Sequence, residues 1–357
     1  MLQSSLQERT GTKVYCVPEA ATLLVTGGLE WKNADTSEKT VEYQLALLRT
    51  QIALEDQFFS IAQATGKPAL IVCDRGTMDG RAYTTEAQFN EILRKGGFTL
   101  SSLRDERYDA VMFLVSAAIG AESHYNLDNP ARFEDVAGAE KADLHLRTMY
   151  IGHPRLKLID NSSSHSFSDK MERALDYVYE VIGHRKPKHR TRRYLIGSVP
   201  AAFPIPTEQI LVVITILAGS TTENIRFVMK RQQGETRTHI LTAIARQPAG
   251  ERTQSQHTIS QREYDMHMLQ RDPSRVDVVK VATSMTYNGT FMELSVFREP
   301  IWCRGRAFLY VDCDSDCPPK AEAWLPSWLN VMADTTGKVE YSSWMLSRQD
   351  ANAFPDV

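Results

Sequence analysis

Residues 68–74, PALIVCD, form a short apolar run that closes on a carboxylate and passes into Arg75 and Gly76. A buried parallel strand with that ending delivers its acid to the rim of an α/β sheet. In phosphoryl-transfer proteins an acid at this place serves a magnesium ion. Asp74 is therefore the candidate metal ligand, with Arg75 beside it in a candidate nucleotide site. The competing reading is a surface acid that opens a loop. Asp160 ends a second strand-like run, LKLID at residues 156–160, and the strand ends of a parallel sheet share one rim. Arg132 and Arg147, with Arg104 and Arg107, flank the later strands or lie in the polar segment 118–152, where they could close over phosphates. Solvated arginines are the ordinary alternative. The loop G-x-x-x-x-G-K-[ST], whose backbone N–H groups cradle phosphates, occurs nowhere in the 357 residues.

The second half carries a different chemistry. Arg226, Lys230 and Arg231 fall in the strand-like segment 224–231, Lys280 in 277–287 and Arg298 in 290–299. Alternation sets Ile225, Phe227 and Met229 on one face and Arg226 and Lys230 on the other. Glu293 shares a face with Phe291 and Phe297, while Arg298 lies opposite. If such a sheet closes, inward basic residues line a polar tunnel suited to an anion. If it does not, they are the wet face of a half-solvated sheet. Between the halves, residues 183–193 (GHRKPKHRTRR) place Arg185, Lys186, Lys188, Arg190, Arg192 and Arg193 within nine residues. Each basic residue near an anionic leaflet contributes about 1 kcal/mol, so this stretch is a candidate for acidic lipid headgroups as well as a solvated linker.

The elements that must position these residues fall into two textures. Before residue 183, strand-like runs at 13–17, 68–74, 110–115 and 156–160 alternate with helical patterns at 40–64, 85–95, 135–150 and 168–182. Alternation of this kind predicts an α/β parallel sheet with helices on both faces, over residues 1–182. In the helix 40–64, Glu55 breaks the apolar stripe, so it must find a partner or sit at the edge of burial. After the basic linker at 183–193, strand-like runs dominate at 194–196, 210–217, 224–231, 239–246, 277–287, 290–299 and 306–312, with helical patterns at 261–270 and 319–330. Asn288-Gly289 reads as a tight hairpin turn. Residues 194–350 are thus expected to form an α+β domain with an antiparallel, barrel-like sheet.

Composition narrows the classes. A net charge of −3 makes the whole molecule no electrostatic partner for nucleic acid. Five scattered cysteines do not make a disulfide framework, which favours a reducing compartment. The start, MLQSSLQERTG, has no apolar core of a signal peptide, and the apolar run at 210–218 is too short to span a bilayer, so a cytoplasmic location is expected. DCDSDC at 312–317 imitates the start of a calcium loop but has Cys317 in place of the glycine and Ala323 in place of the final glutamate. Cys303, Cys313 and Cys317 lack a second ligand pair for zinc. Ser162, Ser163, Ser164 and His165 read as loop polarity, and no catalytic residue is assigned.

Taken as a set, several stretches resemble the TRPL translocation defect family: KVYCVPEAATLL (13–24), LIVCDRGTMD (70–79), RDERYD (104–109), VSAAIGAE (115–122), IGHP (151–154), LIDNS (158–162), RRYLI (192–196) and FREP (297–300). The resemblance implies a P-loop domain related to nicotinamide riboside kinases, joined to a CYTH-like triphosphate-tunnel domain. It implies GTP binding with Mg²⁺, phosphoinositide or phosphatidic-acid binding, peripheral membrane association and a role in trafficking membrane-protein cargo. The family carries a phosphate loop ahead of the helix that here begins at Met1, so Met1 reads as an internal methionine of a longer product. Tunnel hydrolases begin with a metal-binding E-x-E-x-K, and here His189 and Thr191 stand where the two acids would be, ahead of Arg193. A regulatory, non-catalytic protein with weakened nucleotide binding is therefore expected. The alternatives are a small-molecule kinase of the nicotinamide riboside type and a tunnel triphosphatase.

Overall fold

The computed structural model describes residues 2–120, 136–161, 166–183, 190–246, 252–313, 325–350 and 354. The chain forms two compact units: residues 1–107, 113–150 and 159–178 make one, and residues 108–112, 151–158 and 179–357 the other.

In the first unit, helix α1 (Leu2–Thr10) leads into strand β1 (Lys13–Val17), helix α2 (Ala20–Thr26) and the long helix α3 (Ser37–Ala64). Thr36 caps α3 by accepting from the Lys39 N–H, and Val41, Leu45, Leu48 and Ala62 bury one stripe of it. Strand β2 (Ala69–Cys73) pairs in parallel with β1, in the register Lys13↔Ala69 to Val17↔Cys73. Helix α4 (Glu86–Gly96) starts with a reciprocal capping box between Thr85 and Gln88 and stops at Gly97, whose φ of 70° is the left-handed conformation glycine adopts freely. Helix α5 (Leu100–Arg104) precedes strand β3 (Val111–Leu114), helix α6 (Val136–Met149), strand β4 (Leu156–Ile159) and helix α7 (Phe167–Val181), with residues 111–112 of β3 and 156–158 of β4 assigned to the second unit. Backbone bonds from Val111 to Arg155 and from Val115 to Ile159 advance in the same direction, so β3 and β4 run parallel. A single parallel sheet was the expectation. Among the described residues the structure instead holds two separate parallel pairs, β1–β2 and β3–β4.

The second unit is a nine-stranded antiparallel sheet in the order β13-β5-β12-β11-β10-β6-β7-β8-β9. Its strands are β5 (Arg190–Ile196), β6 (Thr207–Ile216), β7 (Asn224–Gln233), β8 (Thr236–Arg246), β9 (Arg252–Ile259), β10 (Val278–Tyr287), β11 (Thr290–Glu299), β12 (Ala307–Cys313) and β13 (Val331–Asp334). Helix α8 (Gln261–Met268) follows β9, and helix α9 (Ser343–Leu346) lies near the end of the chain. The barrel expected for this half is an open sheet, with β13 and β9 as its outer strands. Asn288 (φ 46°) and Gly289 (φ 74°) both take positive φ, as the twisted two-residue turn between β10 and β11 requires. Alternation sorts the apolar residues to two faces. Leu195, Ile210, Val212, Ile214, Ile216, Val278, Ala282, Phe297 and Phe308 form the core on one side, and Tyr341, Trp344, Leu346 and Phe354 from the end of the chain pack onto it. On the other side Tyr194, Ile196, Met285, Met292, Leu294, Leu309 and Val311 form a second core. Each buried side chain of this size contributes about 1.5–3 kcal/mol, so both faces of the central strands stabilise the sheet. The helix expected at 319–330 falls partly outside the described residues, and 325–330 hold no helix.

The basic stretch divides between linker and strand. Arg190, Arg192 and Arg193 belong to β5, where Arg192 pairs with Val311 and Arg193 with Tyr310 in the ladder to β12. Arg185, Lys186 and Lys188 lie outside the described residues, as do Arg132, Ser162, Ser163, Ser164, His165, His189, Asp314, Asp316, Cys317 and Ala323.

Candidate functional site

In the first unit, the end of β2 sets Asp74 next to the end of β1, where the Asp74 N–H donates to the Val17 carbonyl at 3.0 Å. The Asp74 side chain is exposed and has no hydrogen-bond or ion-pair partner among the described residues. Arg75 turns the chain sharply, with a φ of 75°, a conformation that side-chain-bearing residues adopt only when their surroundings hold it. Those surroundings are Glu19, at 3.3 Å from the guanidinium, and Asp79, at 3.6 Å. Asp79 in turn accepts a 2.6 Å hydrogen bond from the Tyr150 hydroxyl. Burial pushes the Asp79 carboxyl above its ordinary value, although Tyr150 and Arg75 pull the other way. The result is a chain of groups, Glu19–Arg75–Asp79–Tyr150, beside a free carboxylate at Asp74. Glu19 and Tyr150 carried no signal of their own in the sequence, because one follows a strand and the other ends a helix.

The other predicted nucleotide residues are engaged elsewhere. Asp160 pairs with Arg173 at 3.1 Å, and the same guanidinium donates to the Asp160 carbonyl. Arg147 makes a buried ion pair with Asp143, which accepts the Ser116 N–H at 2.7 Å. Arg147 also lies over the Phe113 ring, at 5.9 Å. Both side chains therefore anchor helices to the ends of β3 and β4. Asp74 and Asp160 stand on different strand pairs, and no group of three or more acidic, histidine or cysteine residues able to hold a metal occurs among the described residues. Glu55 is buried and has found partners: it accepts from Gln51 at 2.8 Å and forms an ion pair with Arg107.

In the second unit, the polar end of the first core face encloses a cavity of about 210 Å³. Arg231, Lys280, Glu293, Ser284, Gln256 and His153 are among its lining residues. Register explains the convergence. Val212 pairs with both Arg231 and Lys280, and Ser284 pairs with both Glu293 and Glu208, so these side chains share one face across four strands. Lys280 donates to Glu293 at 2.9 Å and to Ser295 at 2.8 Å, and it sits 5.0 Å from the centre of the Tyr310 ring. Burial alone would disfavour the ammonium, but Glu293 and Tyr310 outweigh it and raise the Lys280 pKa. Burial likewise opposes the Glu293 carboxylate, yet Lys280 and the hydrogen bonds hold it below its ordinary value. The pair is therefore charged at neutral pH. Arg231 is buried and donates to the Gly152 carbonyl at 2.6 Å. His153 accepts the Arg155 N–H at Nδ1, 3.0 Å away, so its Nε2 carries the proton toward the Tyr108 carbonyl at 3.1 Å. The lining thus sets an ammonium, a guanidinium, a serine and an amide beside the Glu293 carboxylate.

The remaining basic residues face elsewhere. Arg226 is exposed and Lys230 half-buried, on the opposite face from Arg231. Arg298 is exposed on the face opposite Phe297. Arg193 is consumed in structure: its guanidinium donates to the carbonyls of Thr335, Lys338 and Tyr341 and lies between the Phe308 and Tyr341 rings. Arg192 is half-buried on the other face of β5. Ser284 was legible on the face of Lys280 by alternation along β10, whereas Gln256 reaches it only through the register of β7, β8 and β9 and His153 lies outside the strands.

No curated protein matches the chain. Among solved structures, the hypothetical protein NE1496 shares 18% identity, with 44% of this chain and 97% of that one covered and a TM-score of 0.32. The PH1819 protein from Pyrococcus horikoshii OT3 shares 13%, with 35% and 76% covered and a TM-score of 0.27. A conserved hypothetical protein from Pyrococcus furiosus shares 13%, with 38% and 83% covered and a TM-score of 0.25. With TM-scores this low, the three likenesses establish neither a common fold nor a common activity. The family comparison reaches further: residues 1–167 match an AAA domain, a P-loop NTPase-like family, over the region that carries Asp74, Arg75 and Asp79.

Proposed function

We propose that this chain is a regulatory binding protein whose second unit receives a phosphate-bearing anion, the headgroup of an acidic phospholipid such as a phosphoinositide or phosphatidic acid. The observation that carries the reading is the cavity in which Lys280 is held cationic beside Arg231. An acidic headgroup would take the third Lys280 proton and the Arg231 guanidinium as charge-assisted hydrogen bonds. In the same reading the first unit is a nucleotide-binding scaffold of P-loop type, with GTP and Mg²⁺ approaching Asp74. With no phosphate-cradling loop in the sequence, that binding is weak. A role in membrane-protein trafficking would join the two, lipid at one unit and nucleotide at the other.

Calorimetric titration tests the division of labour. GTP with Mg²⁺ is expected to bind with a Kd weaker than about 100 μM, while a soluble phosphoinositide headgroup gives saturable heat that disappears in Lys280→Gln/Glu293→Gln. Tight GTP binding together with no headgroup heat would reverse the assignment.

A further inference from the structure

We propose that strand β9 is a self-association edge, at which two copies of this chain pair antiparallel and join their nine-stranded sheets across a twofold axis. Edge strands present unpaired N–H and C=O groups, and native proteins blunt them with shortness, bulges, charge, proline or a covering element. The outer strand β13 has three such devices: it is four residues long, its register shifts between Val331 and Ala333, and it ends on Asp334. The outer strand β9 has none of them over residues 253–259. It runs eight residues in unbroken register with β8, from Arg246↔Arg252 to His239↔Ile259. Its sequence TQSQHTI contains neither proline nor an acidic or basic side chain apart from His257. Thr253, Gln254, Ser255, His257 and Thr258 are exposed. Among the described residues, 253–259 make no backbone hydrogen bond except to β8. Helix α8 does not cover the edge, because its Tyr264 packs with Val228 and Leu241 of β7 and β8.

The occupant follows from the chemistry of the strand. A foreign peptide added to a sheet edge is selected by pockets for its alternate side chains, and β9 offers a row of small and amide side chains instead. A second copy needs no pocket. With the axis at Gln256, Gln256 faces its own copy, Ser255 faces His257, Gln254 faces Thr258 and Thr253 faces Ile259. Each pair keeps residues of one sheet face together, no like charges oppose, and the polar pairs match donors to acceptors. One strand's edge is a small interface, below the roughly 1,200 Å² of a standard complex, so the dimer is concentration-dependent, with a Kd on the order of 10 μM.

Sedimentation velocity on the full chain, from about 1 to about 200 μM to bracket that constant, is expected to move from monomer to dimer. Ser255→Lys/His257→Lys, which adds the charges that guard natural edges, is expected to weaken association at least tenfold with unchanged circular dichroism. Independently, Gln256→Cys is expected to yield a disulfide-linked dimer on mild oxidation, and Met332→Cys on β13 is not. A wild-type chain that stays monomeric over the whole range overturns the proposal, whether or not a foreign peptide then pairs with it. A wild-type dimer that ignores both lysines places the interface elsewhere and overturns it as well.

Discussion

The Lys280–Glu293 pair and the Asp79 carboxyl respond to pH in opposite senses. Lys280 and Glu293 are each held in the charged form, the lysine above its ordinary 10.5 and the glutamate below its ordinary 4.5. A depressed acid adds stability that is present above 4.5 and lost as pH falls through its folded value; a raised base adds stability that is present below 10.5 and lost as pH rises through its folded value. The urea midpoint should therefore be flat between these limits and fall at both ends. Lys280→Gln leaves a largely buried carboxylate alone and should cost about 2–4 kcal/mol, whereas Lys280→Gln/Glu293→Gln should recover at least half of that in the same assay. Asp79 runs the other way. Its carboxyl is raised above 3.8 by burial, so its ionisation destabilises the fold at neutral pH. Asp79→Asn keeps the acceptor for Tyr150 and should raise the thermal midpoint by the equivalent of up to about 1 kcal/mol, as expected where stability has been given up for function. A lowered midpoint would make Asp79 a structural residue.

At the scale of elements, what the sequence made legible was whatever carried an apolar period. Helix α3, expected at 40–64, spans Ser37–Ala64, and the strand read at 68–74 is β2, Ala69–Cys73. The Asn288-Gly289 turn is where it was expected, because few residues tolerate two positive φ values in succession. Strand β9 was invisible, since RTQSQHTI has no apolar alternation and is recruited by its ladder with β8. Helix α2 was missed for the opposite reason: AATLLVT is apolar nearly throughout and has no period to read. The cavity was half legible. Arg231 and Lys280 could be named, but their convergence on Glu293 depends on the register of four strands, which local pattern does not contain. The packing of β2 also has a chemical consequence. Burial, then the nearby Glu55, pushes the Cys73 thiol up to about 12, and burial does the same to Cys303. Iodoacetamide at pH 8 should therefore modify exposed Cys16 well before Cys73 or Cys303, as peptide mass spectrometry would show. Equal labelling of Cys73 and Cys16 would mean that β2 is open.

At the scale of the whole molecule, an AAA-type unit that matches over residues 1–167 is followed by a unit built on a large antiparallel sheet. No helix among the described residues is long and apolar enough to cross a membrane. On the proposed reading, the basic residues Arg185, Lys186 and Lys188 and the cavity cations would be rival sources of lipid affinity, and they would differ in kind. A solvated basic stretch attracts any anionic surface and is screened by salt. A cavity with two cations and a fixed carboxylate would, on that reading, select the shape of one acidic group. Flotation of the full chain with phosphatidylcholine vesicles, with and without phosphatidic acid or a phosphoinositide, separates them when wild type is run beside Lys280→Gln/Glu293→Gln at 0.15 M salt, where the Debye length is about 8 Å. The prediction is co-flotation of wild type with the acidic vesicles only, reduced at least tenfold in the double variant, a loss of about 1.4 kcal/mol. Co-flotation of the double variant equal to wild type, or none by wild type, would contradict it.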